Sequence, residues 1–324
     1  MRIQSILGIS KTTIATGFLL LSLAACDTMN IPAGGAADLL KKVTPVADEK
    51  PPVDSPETFA KLVNWGNDQY NTVIEQRKQK NEIETSTKVT DQMDGIFIRL
   101  KSAALSDQEY GAVAKDMDWR LNTIRDKEIV MVRAYPGGGV AIYDGLFPVA
   151  ETEGALAAIL GHEMAHVLAR HELKRIAGHT AVAGAAVGSG VALAMEPDKL
   201  DRQVMAGVTG AVGLADLAVG NRLWTQSQEL DADCLGLKLA AKAGYDPEKI
   251  QRFWENMKTR TDKNPNNLPD FLKDHPINDK RLNHIKSDKC LGPASRIYSA
   301  QIEQLRARNE TPPDSTKPLP GVAG

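Results

Sequence analysis

His162-Glu163-Met164-Ala165-His166 places two histidines four residues apart, with a glutamate directly after the first. On an α-helix, residues four apart lie one above the other, so the two imidazoles can meet on one metal ion. Glu163 is turned from that face by about 100°, which lets its carboxylate reach a water beside the metal without joining the ligands. The pattern therefore holds two ligands and a base. Three fixed positions in five recur by chance in unrelated chains, so the surroundings must carry the weight. Leu156, Ile159, Leu160, Met164, Val167 and Leu168 repeat at the three-and-four spacing of a helix with one buried face. Thr152 is a candidate N-cap, and Glu151 and Glu153 sit where the helix dipole favours anions. The signature is predicted to fall in the middle of a long helix.

A catalytic zinc usually takes three protein ligands and a water. The missing ligand is sought in Glu229-Leu230-Asp231-Ala232-Asp233, which opens a helical pattern running to about Gly244. Glu229 and Asp233 share a face at i and i+4. Glu229 then ligates and Asp233 orients a ligand histidine from behind; alternatively Asp231 or Asp233 is the ligand and Glu229 a solvated charge.

Upstream, helices are predicted over 59–80, with Leu62, Trp65, Tyr70 and Val73 apolar, and over 87–105, with Met93, Ile96, Phe97 and Leu100. Two strands follow, near 119–124 and 129–132. The Tyr135-Pro136-Gly137-Gly138-Gly139 turn then leads into a strand over 140–143. This hairpin either lies along the metal cleft and pairs with an extended substrate or only supports the helix. Downstream, 177–195 and 204–219 are rich in Ala, Gly and Val around a polar break. His179, Thr180, Ser189 and Asp216 interrupt them, so they read as a helical hairpin that packs on the domain or touches a membrane surface rather than spanning it.

The N-terminus reads as an address. Arg2 and Lys11 precede the short apolar run 14–23, which ends in Leu23-Ala24-Ala25-Cys26. That ending resembles a bacterial lipobox, in which the cysteine, here Cys26, is lipidated and holds the domain at a membrane surface; an ordinary signal peptide is the alternative. Residues 26–58 are Pro- and Gly-containing and read as a tether, 59–307 as one domain, and 308–324 as a disordered tail. Removing 1–25 takes away Arg2 and Lys11 and no acid, which moves the formal net charge from −2 to −4. This mild acidity argues against a nucleic-acid partner. Of the remaining cysteines, Cys234 and Cys290 form a disulfide, or Cys234 is simply a buried apolar residue.

Taken together, Ala134-Tyr135-Pro136-Gly137-Gly138, Gly145-Leu146, the run 156–167 with His171 beyond it, and Glu-x-x-Ala-Asp at 229–233 resemble the M48 family of zinc metallopeptidases, which includes periplasmic lipoproteins. The resemblance implies an α+β fold: a mainly helical, gluzincin-like metallopeptidase domain with a small β-hairpin beside the signature helix. It implies one Zn2+ held by His162, His166 and Glu229, with Glu163 as general base and Asp233 behind a ligand histidine. Asp274-His275-Pro276, with Arg281 after it, is similar to the family's His-Pro loop, so His275 either stabilises an oxyanion or caps the zinc as an inhibitory ligand. Met131-Val132-Arg133-Ala134 and Thr225-Gln226 depart from the family's usual Asn-Ala-Phe-Ala and Ser-Arg, which bears on substrate preference more than on metal binding. The implied activity is hydrolysis of peptide bonds in misfolded or misassembled bacterial envelope proteins, on the periplasmic side of a membrane reached through lipid on Cys26. The competing expectation is a chaperone or scaffold with a closed zinc site.

Overall fold

The computed structural model describes residues 56–174, 224–264 and 268–322. The lipobox with Cys26, residues 1–55 of the address and tether, and the Ala/Gly-rich stretch 177–219 lie outside them. Among the described residues no helix is long and apolar enough to cross a membrane.

The chain is mostly helical around one small sheet, as an α+β reading requires. Helices α1 (Pro56–Gln79) and α2 (Thr87–Leu105) and the short α3 (Gly111–Lys115) precede strand β1 (Arg120–Ile124). Strands β2 (Val132–Ala134) and β3 (Gly139–Tyr143) then form the hairpin. β3 lies in the centre, parallel to β1 and antiparallel to β2, so β2 is an edge strand. Successive side chains of a strand point to opposite faces: Val140 and Ile142 enter the main core, whereas Ala141 and Tyr143 meet Tyr70 and Ile74 of α1. Both faces are covered, which is why all five residues of β3 are buried. Gly137 and Gly138 take φ values of 99° and 98°, open to glycine without strain, and this closes the turn.

The second strand was expected over 129–132 and is found two to three residues later. Val130 is diverted: its N–H donates to Asp270 Oδ2 and its carbonyl accepts from Phe271, at the start of the short helix α8 (Asp270–Asp274).

After the turn Asp144–Leu146 and helix α4 (Phe147–Ala150), the signature helix α5 runs Glu153–Leu168. Thr152 caps it by accepting from Ala155 N–H. All sixteen of its residues are buried, not one face as the periodicity predicts, because α2, α4, α6 (Gln226–Lys242) and α7 (Pro247–Lys263) surround it together with β2. The signature occupies its last two turns. α5 packs most extensively on α6, and at their crossing Gly161 faces Gly236. A Cβ on Gly161 would come 2.7 Å from Gly236 O, and one on Gly236 would come 2.6 Å from the backbone nitrogen of His162. Helices α9 (Asp279–Ile285) and α10 (Leu291–Ala307) complete the body. A disulfide between Cys234 of α6 and Cys290 ties α6 to the start of α10.

The segment after α10 corrects the expected disorder of the tail. Ser315 and Leu319 are buried. The first N–H groups of a helix have no partner within it, and here Glu153 and Gly154 donate to the carbonyls of Lys317 and Ser315. Leu319 N–H returns a bond to Glu151 O. A Pro-rich polar composition hides this role because main-chain carbonyls perform it. Val322 also packs against the main core.

Candidate metal centre

α5 presents His162 and His166 on one face, and α6 crosses it so that its first turn meets them. Thr225 caps α6 in a reciprocal box with Gln228, so the threonine that replaces the family's serine keeps a capping hydroxyl. Glu229 follows directly. His162 Nε2 and His166 Nε2 are 3.1 Å apart, His162 Nε2 is 3.5 Å from Glu229 Oε2, and His166 Nε2 is 3.3 Å from Glu229 Oε1. Tetrahedral zinc with bonds of about 2.0–2.1 Å has ligand-to-ligand edges of about 3.4 Å. The three donors therefore fit such an ion, and all are buried.

Asp233 lies behind this set, its Oδ1 3.1 Å from His162 Nδ1. Asp231 is elsewhere, 3.2 Å from His171 Nε2. Neither aspartate joins the donor set, so of the acids weighed at 229–233 Glu229 alone faces both Nε2 atoms. Arg281, from α9, is 1% exposed and clamps Asp233 through Nε at 2.9 Å and Nη2 at 2.7 Å. It also pairs with Glu229 and donates to the carbonyls of His275 and Pro276. Its guanidinium fork suits this bidentate contact. The likeness of 274–276 and Arg281 to the family's His-Pro loop places Arg281 near the site, but nothing in the sequence marks Asp233 as its partner.

His275 closes the centre from the cleft side. Its Nδ1 is 2.9 Å from Glu229 Oε1 and 3.2 Å from His162 Nε2, and its Nε2 is 3.1 Å from Glu163 Oε1. Burial alone would disfavour its charge, but the carboxylates of Glu163 and Glu229 outweigh that and push its pKa up to about 10. Burial raises Glu163, yet the charge and hydrogen bond of His275 win and hold it at about 2. Burial drives His166 down to about 3, which keeps it neutral, the form that ligates. Glu229 is likewise held below the usual carboxylate range: burial raises it, but the charges of His275 and His162 prevail.

A cleft of about 300 Å³ opens beside Glu163 and His166. Leu62, Trp65 and Gln69 of α1 form one wall and β2 the other. Arg133 of β2 pairs with Ala141 of β3, so Val132 and Ala134 turn their backbone groups to the free edge. There the Ala134 N–H donates to Glu163 Oε2 at 3.1 Å, which puts the edge of the sheet and the candidate base within one hydrogen bond.

The family profile described as "Peptidase family M48" matches residues 100–289, more than half of the chain, a span that includes His162, Glu163, His166, Glu229 and His275. The chain belongs to peptidase family M48. Members of this family are zinc enzymes. Among curated relatives, the mitochondrial metalloendopeptidase OMA1 of Schizosaccharomyces pombe is 31% identical over 172 residues, covering 53% of this chain and 47% of that protein. The beta-barrel assembly-enhancing protease of Escherichia coli K12 is 32% identical over 157 residues, covering 46% of this chain and 30% of that protein. Its counterpart in Yersinia pestis is 31% identical over 160 residues, covering 48% and 31%. The chain thus spans half or less of the length of these relatives.

Proposed function

We propose that this chain is a zinc metalloendopeptidase. The observation that carries the reading is the convergence of His162 Nε2, His166 Nε2 and a Glu229 carboxylate at tetrahedral spacing, with Glu163 beside them and outside the donor set. Zn2+ held by His162, His166 and Glu229 would supply Lewis acidity to a peptide carbonyl and to water. Glu163 takes the proton of the attacking water at its carboxylate and returns it to the leaving amine. Asp233 orients His162. The free edge of β2 offers Val132 and Ala134 backbone groups to an extended peptide, which would displace the Ala134 bond to Glu163.

The substrates we infer are misfolded or misassembled proteins of a bacterial envelope. The name of the beta-barrel assembly-enhancing protease relatives and the lipobox-like Leu23-Ala24-Ala25-Cys26 support a lipid-anchored, periplasm-facing enzyme. Purified full-length protein should contain one zinc per chain and degrade an unfolded casein. Glu163→Gln should keep the zinc and lose the cleavage. Substantial proteolysis by that variant, or protein without zinc-dependent activity, would sink the assignment.

His275 favours a second reading. Seated on Glu163 and Glu229, it closes the place a substrate carbonyl needs, as a chaperone or scaffold with a closed zinc site would require. Prevention of aggregation by wild type and Glu163→Gln alike, with cleavage by neither, would favour that reading.

A further inference from the structure

The two ligand histidines are supported from behind in different ways. His162 is backed by Asp233, whose charge is answered by the buried Arg281. His166 is backed by a second histidine: its Nδ1 lies 2.9 Å from His171 Nδ1, and His171 Nε2 lies 3.2 Å from Asp231 Oδ2. α5 has ended at Leu168, and Arg170, at φ 54°, turns the chain so that His171 returns against the helix end. His171 is 1% exposed, and its carbonyl accepts from Gln228 Nε2 at 3.0 Å. The helix that carries Glu229 therefore also holds His171. Trp224 stacks on His166 at 4.2 Å.

The proton positions along this string follow from one another. A carboxylate only accepts, so His171 Nε2 carries a hydrogen. A neutral His171 then has a lone pair at Nδ1, and His166 Nδ1–H donates to it. That leaves His166 Nε2 bare on the side where His162 and Glu229 converge. A proton on His171 Nδ1 would force the His166 hydrogen onto Nε2, against the other donors. Asp231, its side chain 51% exposed, ends the string at the surface.

We propose that His171, oriented by Asp231, is a positioning residue for His166: it fixes the tautomer and aim of that ring and thereby sets how tightly the centre holds its metal. This rests on the reading of the site as a metal centre. Neither residue lines the cleft, and the side-chain path from Asp231 through His171 reaches the donor set at His166.

The test compares full-length wild type, His171→Phe, His171→Gln and Asp231→Ala. It measures zinc affinity by competition with a chromophoric chelator, the visible spectrum of the Co2+-loaded protein, and thermal midpoints without metal. His171→Phe should weaken zinc about 10–100-fold and shift the Co2+ bands. His171→Gln, which offers an amide oxygen to His166 and an amide N–H to Asp231, should recover most of that loss. Asp231→Ala should shift affinity the same way by less. Wild-type affinity in His171→Phe, or equal losses in the Phe and Gln variants, would overturn the proposal. If His171→Phe does not fold, unchanged affinity and spectrum in Asp231→Ala would overturn it. Wild type that binds neither zinc nor Co2+ would instead overturn the metal-centre reading.

Discussion

Gly161 and Gly236 face each other where α5 and α6 cross, so closely that a Cβ on either would strike the partner's backbone. Each stands beside the chemistry: Gly161 precedes His162, and Gly236 lies three residues after Asp233. The absence of two side chains thus sets the distance from the histidines to Glu229. We predict that Gly236→Ala costs about 1–3 kcal/mol through overpacking and also weakens zinc binding, because the helices must part at the ligands. Urea unfolding and chelator competition would check both; a wild-type midpoint would contradict the close crossing.

Removing Arg281 should be among the most damaging single changes. Arg281→Ala leaves Asp233 buried without its cation and Glu229 with His275 alone, a loss of about 3–5 kcal/mol. Arg281→Lys should recover only part of it, since an ammonium cannot reproduce the two parallel bonds to Asp233. Denaturant midpoints of the three proteins would decide.

His275→Ala removes the ring that sits between Glu163 and Glu229. If that ring holds the cleft closed, the variant should cleave an unfolded casein several-fold faster at equal zinc content. Slower cleavage would show instead that His275 assists the reaction, as an oxyanion donor does.

The segment after α10 should matter to stability despite its composition. Leu319→Ala, at a buried side chain, is predicted to cost about 2–5 kcal/mol. Native-state hydrogen exchange at Glu153 and Gly154 should rise with it. Unchanged exchange would mean that the segment does not cap α5.

Zinc should stabilise the fold by mass action. Protein with free zinc at about a hundred times its dissociation constant should gain about 2.7 kcal/mol over metal-free protein. Thermal scans with and without a chelator measure this, and coincident curves would refute it.

Much of the helical skeleton is legible in the residues. The bounds of α2, the Thr152 cap and the shared face of Glu229 and Asp233 follow from periodicity and capping, which are local. What stays hidden depends on distant partners. α5 is apolar enough to be buried all round, yet its period signals only one face. Val130 leaves the strand because Asp270 and Phe271, far along the chain, take its backbone bonds. His171, Arg281 and Asp231 stand out in the sequence, but only the fold shows what each touches: His171 joins His166 to Asp231, and Arg281 clamps Asp233. The tail reads as loose because capping by backbone carbonyls leaves no mark on composition.

The bonds from Glu153 and Gly154 to Lys317 and Ser315 also order events during synthesis. α5 emerges from the ribosome with those N–H groups open and its ligands incomplete, since Glu229 is made some sixty residues after His166 and Arg281 later still. The start of the signature helix is secured only when residues 315–319 arrive. A nascent chain therefore passes part of its translation with His162 and His166 made but Glu229 and Arg281 still to come.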